Sequence, residues 1–177
     1  MRPSTLFQNE IIEKLCEYFP EVKKEWSVTD NATDDFSNPS RVYGPRLDVA
    51  VGPFNVGKGS AVEKADKIRN AFSQNAPQKL KNIITLRGLR QNGNPRCTLA
   101  IEVVYSGSSK HILGDITNAS MMGLYGFVVA SNSTFDRLQR IFEYTKVIKH
   151  VGKAPLDLFS NVCVISNVDF LRLLQSG

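Results

Sequence analysis

The sequence predicts an α/β protein in which a central mixed sheet is flanked by helices. Two observations lead to this class: apolar strand segments alternate with segments of helical periodicity, and most helical segments carry an apolar stripe. At 177 residues the chain is long enough to bury a core of its own, and we expect a single domain over residues 1–177.

The first part of the chain contains two helical segments. Residues 6–18 repeat apolar side chains at helical spacing, and Pro20 limits the end of this helix. Residues 28–44 are rich in turn formers and predict a loop, with a short strand at either edge left open. Ser60 is expected to cap a helix that runs to about residue 72, with Glu63 at the capping-box position.

The strand RLDVAV, residues 46–51, precedes this second helix. Its alternation predicts Leu47, Val49 and Val51 on one face of the sheet and Asp48 on the other. The dipeptide Gly52-Pro53 ends the strand. Asp48 is therefore a carboxylate that a strand carries.

The second half of the chain alternates strands with helices. CTLAIEVVYSG is the most apolar strand, and Glu102 lies in its middle. Ser108 or Ser109 is expected to cap the next helix, which Gly123 closes. The strand YGFVVAS, an amphipathic helix over about residues 134–149, the strand NVCVIS and a short terminal helix follow. This order implies helices on both faces of the sheet.

Positive charge is concentrated beyond residue 40. The net charge is +5, but residues 1–40 carry −4 and residues 41–177 carry +9. The densest basic segment, KLKNIITLRGLRQNGNPR, contains no acid and carries Lys79, Lys81, Arg87, Arg90 and Arg96. A polyanion such as nucleic acid would account for this distribution, and the alternative is a solvated surface of a basic protein.

The composition argues against a secreted or membrane protein. The first residues contain acids where a signal peptide needs an apolar run, and no stretch reaches the length of a membrane span. Cys16, Cys97 and Cys163 are far apart and form no CxxC pair, which argues against a disulfide framework or a zinc site. We therefore expect a reduced, cytoplasmic protein.

The stretch DVAVGPFNVGKGS, residues 48–60, matches a nucleotide-binding phosphate loop only in part. Gly52, Gly57 and Lys58 have the right spacing, but Gly59 stands where the loop needs the Ser or Thr that holds Mg²⁺. No later strand supplies the apolar run ending in Asp that would face such a loop. We expect Lys58 to contact a phosphate of a nucleic-acid backbone instead.

Asp48 and Glu102 are the candidate metal ligands. A carboxylate within an apolar strand is costly to bury unless a partner or a metal compensates its charge. Two such carboxylates suit Mg²⁺ or Mn²⁺, since a hard cation takes oxygen ligands and Mg²⁺ keeps several waters. Such an ion can activate a water and stabilise charge on a phosphodiester. The alternative is a salt bridge from each acid to a neighbouring Lys or Arg.

These features together resemble the PD-(D/E)xK nuclease superfamily. The chain has a helix, a strand with Pro45-x-x-Asp48, a long insertion, a strand with a central Glu102, a helix and a strand, over roughly residues 5–131. The text around Glu102 is also similar to small prokaryotic members. The resemblance implies a restriction-endonuclease-like three-layer core of order αβββαβ, in which Asp48 and Glu102 hold the metal.

The superfamily motif has a third residue, usually Lys, two places after the glutamate. Val104 stands there in this chain. Some members move the basic group to the following helix, and Lys110 lies at the start of that helix. The resemblance therefore points to Lys110 as the catalytic cation. The adjacent His111 is an alternative for this role and is also expected to contact nucleic acid.

The resulting hypothesis is a metal-dependent DNA endonuclease, with RNA left open as the substrate. We expect the basic segment of residues 79–96 to border the metal site, because the phosphate backbone must be held where it is cut. The resemblance implies a homodimer, or the nuclease subunit of a prokaryotic antiviral defence or repair complex. Two alternatives stay open: an inactive pseudo-nuclease that binds nucleic acid, for which Val104 is the main evidence, and a scaffolding protein.

Overall fold

Five strands form one mixed sheet in the computed structural model, which describes residues 2–31 and 44–175. The strands are β1 (Val22–Ser27), β2 (Arg46–Val51), β3 (Cys97–Val104), β4 (Gly123–Ala130) and β5 (Val162–Ser166), and they lie side by side in that order. β1, β2 and β3 form an antiparallel meander, whereas β3, β4 and β5 run parallel. The predicted α/β class with a mixed sheet is confirmed.

Helices cover both faces of this sheet. They are α1 (Pro3–Cys16), α2 (Ala61–Asn75), α3 (Gln78–Leu86), α4 (Ser109–Met122), α5 (Asn132–His150) and α6 (Asn167–Leu173). α1, α2, α3 and α6 pack on one face, and α4 and α5 pack on the other. The β3-α4-β4 and β4-α5-β5 crossovers step across the sheet in the same direction, so the right-handed rule places both helices on the same face.

Local sequence signals start the helices where they were expected. The Ser60 hydroxyl accepts a hydrogen bond from Glu63 N at 3.4 Å, and the Ser108 hydroxyl accepts one from His111 N at 3.3 Å. The first helix begins earlier than predicted, at Pro3, a residue that suits a first helical turn. α3, which the sequence analysis treated only as a basic segment, buries Leu80 and Ile84 one turn apart.

The core consists of two apolar clusters, one on each face of the sheet. The first cluster packs β-strand residues such as Leu99 and Phe127 against α1, α2, α3 and α6. The second packs Ala100 and Val128 against α4 and α5. α4 lies close to β4, since a Cβ added at Gly126 would be only 2.7 Å from the carbonyl oxygen of Ala119. This close approach fixes the side chains that α4 presents to the sheet.

β1 and β2 are irregular at one shared level. Their register places Glu25 opposite Asp48, and the backbone of Glu25 has φ 51°, in the left-handed region that non-glycine residues seldom adopt. Val49 and Val51 pack in the first cluster, but Leu47 packs in the second. The predicted placement of Leu47 beside the two valines is therefore wrong, because the side-chain alternation along β2 is interrupted at this level, although the register with β1 continues through it.

The loop predicted over residues 28–44 is described only at its ends. Residues 28–31 form a short 3₁₀ turn and residues 32–43 lie outside the described residues. β1, which was not predicted, ends at Ser27, directly before this loop. Within residues 2–31 and 44–175, no helix has both the length and the apolar character that a membrane crossing requires. Cys16 is exposed, Cys97 and Cys163 are buried, and all three are free thiols.

Candidate metal and catalytic site

Asp48 and Glu102 meet between β2 and β3. The antiparallel register pairs Val49 with Ile101, and one step further it brings Asp48 opposite Glu102. Val103 N donates a hydrogen bond to Asp48 Oδ2 at 2.7 Å, and Asp48 N donates one to Glu102 Oε2 at 3.3 Å. Each carboxylate thus accepts a hydrogen bond from a backbone N–H group of the neighbouring strand, at the level where the regular pairing of β2 with β3 ends. The two acids that the sequence predicts as metal ligands thus lie on neighbouring strands.

α4 adds two polar side chains to this pair of acids. The Asn118 side chain hydrogen-bonds to the Glu102 carboxylate, and Asp115 lies near enough to both Asp48 and Glu102 to raise the pKa of Glu102 and to have its own pKa raised by Asp48. α4 buries Ile112, Ile116 and Ala119 toward the sheet, so Asp115 and Asn118 flank its buried stripe. The site is therefore bounded by two strands and one helix.

The three acids are held in an environment that disfavours their charged forms. Glu102 is only 4% exposed, and among the residues that the structure describes its Oε1 has no hydrogen-bond partner. Burial, followed by the charges of Asp48 and Asp115, raises the pKa of Glu102 to about 9. Burial also raises the pKa of Asp48, with the Val103 N–H opposing it, and burial together with Asp48 raises the pKa of Asp115 to about 6. A bound cation would compensate the negative charge that these carboxyl groups carry when they are ionised.

The donor set fits a hard divalent cation. Within the described residues, neither Asp48 nor Glu102 forms a salt bridge, so the alternative of two satisfied ion pairs is not what the structure shows. In the same part of the chain, no three His, Cys, Asp or Glu side chains are arranged to hold a metal ion. Two carboxylates suffice for Mg²⁺, because this ion keeps several of its waters. The unpartnered Glu102 Oε1 is the atom that such an ion would satisfy.

The first turn of α4 brings two predicted residues to the rim of the site. Lys110 and His111 are exposed and line a small cavity together with Asp115 and Asn118. The charge of His111 lowers the pKa of Asp115, against the larger effect of burial. Lys110 therefore borders the same cavity as two residues that act on Glu102.

Val104, at the position of the missing basic residue, belongs to the core. Its side chain is 2% exposed and packs in the second cluster, on the face of α4 and α5. Its carbonyl oxygen accepts a hydrogen bond from Thr134 Oγ1 at 2.8 Å. The backbone of Val104 is thus hydrogen-bonded to the start of α5, and its side chain carries no charge that could act on the carboxylates.

The predicted basic segment lies away from these carboxylates. Lys79 and Lys81 are on α3, which packs on the opposite face of the sheet, and their ammonium groups donate to the carbonyl oxygens of Gln175 and Ser73. Arg87 Nη1 donates to the carbonyl oxygen of Val164 at 3.0 Å, on β5, two strands from β3. These residues hold main-chain carbonyl groups of neighbouring elements.

The rest of the predicted phosphate contacts lie near the other end of the strands, where β3 and β5 begin and β2 ends. Arg96 precedes β3, so six residues, or about 20 Å of strand, separate it from Glu102. Arg90 N bonds to the carbonyl oxygen of Ser160, just before β5, and Lys58 lies in the loop after the far end of β2. The expectation that residues 79–96 border the carboxylates is therefore wrong, whereas their binding to nucleic acid stays a prediction.

Four residues near the acids were not predicted from the sequence: Glu25, whose charge raises the pKa of Asp48, Lys24, whose charge lowers it, and Asp115 and Asn118. A signal was present for the two on α4, because polar residues beside a buried helical stripe lie at the boundary between helix and sheet. Glu25 gave no signal, since it belongs to a run of charged residues in VKKEWS.

No family model, curated protein or solved structure matches this chain.

Proposed function

We propose that this chain is a metal-dependent nuclease with a restriction-endonuclease-like core. The observation that carries the proposal is the pair of facing carboxylates, Asp48 and Glu102, between two strands and α4. The Oε1 atom of Glu102 is buried there and has no hydrogen-bond partner within residues 2–31 and 44–175. The order of α1, the β1-β2-β3 meander, α4 and the parallel β4 supports it, with α2 and α3 as the insertion between β2 and β3. This is the αβββαβ order that the resemblance implies.

The roles of the residues follow from their positions. Asp48 and Glu102 would hold Mg²⁺ or Mn²⁺, which when bound supplies an activated water and stabilises negative charge on a phosphodiester. The Val103 N–H and the Asn118 side chain hold the two carboxylates in position. Lys110, at the rim of the adjacent cavity, is placed to stabilise the charge that develops on the phosphate. The proposal includes DNA as the substrate and a homodimer or a prokaryotic defence or repair complex as the assembly.

A second candidate function is a pseudo-nuclease that binds nucleic acid without cleaving it. The specific observation in its favour is Val104, whose side chain fills the core where the superfamily motif usually has a lysine. In such a protein, the carboxylates would be a structural remnant.

A cleavage assay separates the two candidates. Supercoiled plasmid and end-labelled single-stranded and duplex oligonucleotides of DNA and RNA are incubated with the wild type, Asp48→Asn and Glu102→Gln, in Mg²⁺, Mn²⁺ or EDTA. Asp66→Asn is the matched control, because Asp66 is an exposed acid on α2 that pairs only with Arg69 among the residues described. A nuclease requires cleavage by the wild type and the control with metal only, and none by the two site variants.

Binding without cleavage under every metal would establish the pseudo-nuclease. Cleavage that survives Asp48→Asn at the wild-type rate would place the activity elsewhere and overturn the assignment of the site.

A further inference from the structure

A groove of about 550 Å³ lies between α4 and α5, the two helices that cover the second cluster of the core. This α4–α5 groove is lined by Lys110, Leu113, Arg137, Arg140, Ile141 and Tyr144. Its lining combines three cations with apolar side chains and includes no acid.

Two side chains of the groove expose apolar surface. Tyr144 is 65% exposed and Leu113 is 44% exposed. Arg137 Nη2 donates to the Ser109 hydroxyl at 3.4 Å, so one of the cations is tied to the first turn of α4. The acids nearest on α5, Asp136 and Glu143, line a neighbouring hollow, and Glu143 pairs with Lys146 at 2.6 Å. Arg140 lines both the groove and this hollow, whereas Lys110 and Arg137 line the groove away from the two acids.

The α4–α5 groove and the small cavity beside the carboxylates share one residue, Lys110. Lys110 lines both the α4–α5 groove and the small cavity bordered by His111, Asp115 and Asn118. Asn118 in turn hydrogen-bonds to Glu102. A ligand that extends from the groove past Lys110, across the first turn of α4, thus reaches the cavity lined by Asp115 and Asn118.

We propose that the α4–α5 groove binds the strand of nucleic acid that the carboxylates cleave, and that this strand is unpaired. Arg137 and Arg140 bind its phosphates, and Tyr144 stacks on one of its bases. An exposed aromatic ring between cations is the arrangement that binds single strands, since an unpaired base offers its face whereas a duplex base is already stacked. This inference rests on the proposed function and specifies its substrate as a single strand or an unpaired end.

The test measures the binding of fluorescein-labelled 20-nucleotide oligo-dT and of a duplex of the same length, by anisotropy in EDTA, across a range of salt. Arg137→Ala/Arg140→Ala should flatten the slope of log affinity against log salt by about 1.4, because each phosphate that an arginine neutralises on a single strand adds about 0.7 to its steepness. Tyr144→Ala should weaken single-strand binding about tenfold, and Tyr144→Phe should restore it, because the ring supplies the stacking. Single strand should bind more tightly than duplex.

The control is Lys67→Ala/Arg172→Ala, which also removes two positive charges, but from α2 and α6 on the other face of the sheet. An unchanged salt slope in Arg137→Ala/Arg140→Ala, or an equal change in the control, overturns the proposal. Tighter binding of an oligo-glutamate peptide than of oligo-dT, abolished in the same groove variants, would show that the groove binds an acidic protein and would also overturn it.

The outcomes separate the groove from the proposed nuclease activity. A wild type that binds single strands through the groove but never cleaves them would end the nuclease proposal and leave the groove in place. A wild type that cleaves, with the groove variants cleaving and binding at wild-type levels, would end the groove proposal alone.

Discussion

Asp48 and Glu102 each rest on the backbone of the strand that carries the other acid: Val103 N donates to Asp48 at 2.7 Å, and Asp48 N donates to Glu102 at 3.3 Å. Their positions are thus set by main-chain groups, and within the described residues neither acid is held by a salt bridge to a cationic side chain. Amide isosteres keep an oxygen that can accept these bonds, so Asp48→Asn and Glu102→Gln remove charge while preserving most of the geometry.

Divalent cations should stabilise the folded protein through these two acids. A ligand present at 100 times its dissociation constant adds about 2.7 kcal/mol to the free energy of unfolding. For a chain of this size, that corresponds to a rise in Tm of about 5–10 °C. Scanning calorimetry with Mg²⁺ or Mn²⁺ should show this rise for the wild type and for Asp66→Asn, and little of it for Asp48→Asn or Glu102→Gln. An equal rise in all four proteins would place the metal elsewhere.

The stability of the metal-free protein should fall with rising pH because of Glu102. Its pKa is raised from 4.5 to about 9 on folding, mainly by burial, so the folded state binds more protons than the unfolded state between these values. The stabilising contribution is complete below about pH 4.5 and is lost as the pH rises toward 9. The raised pKa values of Asp115 and Asp48 act in the same direction, in the lower part of this range.

Glu102→Gln isolates this effect, because glutamine stays neutral at every pH. Urea unfolding in EDTA should give similar free energies for the variant and the wild type at pH 5, and a growing advantage for the variant at pH 7 and pH 9. Glu143→Gln, which neutralises an exposed acid on α5, serves as the control and should track the wild type. A constant difference between Glu102→Gln and the wild type across this range would contradict a buried acid with a raised pKa.

The sequence was sufficient to predict the α/β class, the strands β2 to β5 and the meeting of Asp48 with Glu102. Those strands alternate or are uniformly apolar, so their periodicity carries the information directly. β1 was not assigned because VKKEWS exposes Lys23, Lys24 and Glu25 at an edge of the sheet, where charged side chains are tolerated. The left-handed backbone of Glu25 depends on its pairing with β2, which composition does not reveal.

The location of the basic segment could not be predicted from charge alone. Lys79 and Arg87 are neighbours in sequence, but α3 and the loop after it pack toward α6 and β5 and away from β3. The cations that act on the acids come instead from β1 and α4: Lys24 lowers the pKa of Asp48, and His111 lowers the pKa of Asp115. Charge clustering in sequence reports composition, whereas a binding surface depends on which elements the sheet brings together.

Removal of Lys79 and Lys81 should therefore affect stability more than binding to nucleic acid. Each ammonium group donates to a main-chain carbonyl, and loss of one such bond costs about 0.5–1.5 kcal/mol. Lys79→Ala/Lys81→Ala should lower the free energy of unfolding in urea while leaving the salt slope of oligo-dT binding close to that of the wild type. A flattened slope with unchanged stability would assign phosphate binding to α3, as the charge pattern of the sequence indicates.

Lys110 provides the sharpest test of the catalytic assignment. It is exposed in the first turn of α4, where a cation is slightly unfavourable against the helix dipole, so Lys110→Ala should leave stability unchanged or slightly increased. Its place at the rim of the cavity beside Asp115 predicts a loss of about 10²-fold in single-turnover cleavage, the effect of removing one preorganised charge donor.

Lys110→Arg and His111→Ala complete this test. Arginine keeps the positive charge and should recover part of the rate, whereas His111→Ala should act mainly on binding, since the sequence assigns His111 to the binding of nucleic acid. Metal-induced stabilisation should be unchanged in Lys110→Ala, because Asp48 and Glu102 remain in place. If Lys110→Ala cleaves at the wild-type rate while His111→Ala loses the chemical step, the cation that replaces the missing lysine at position 104 is His111.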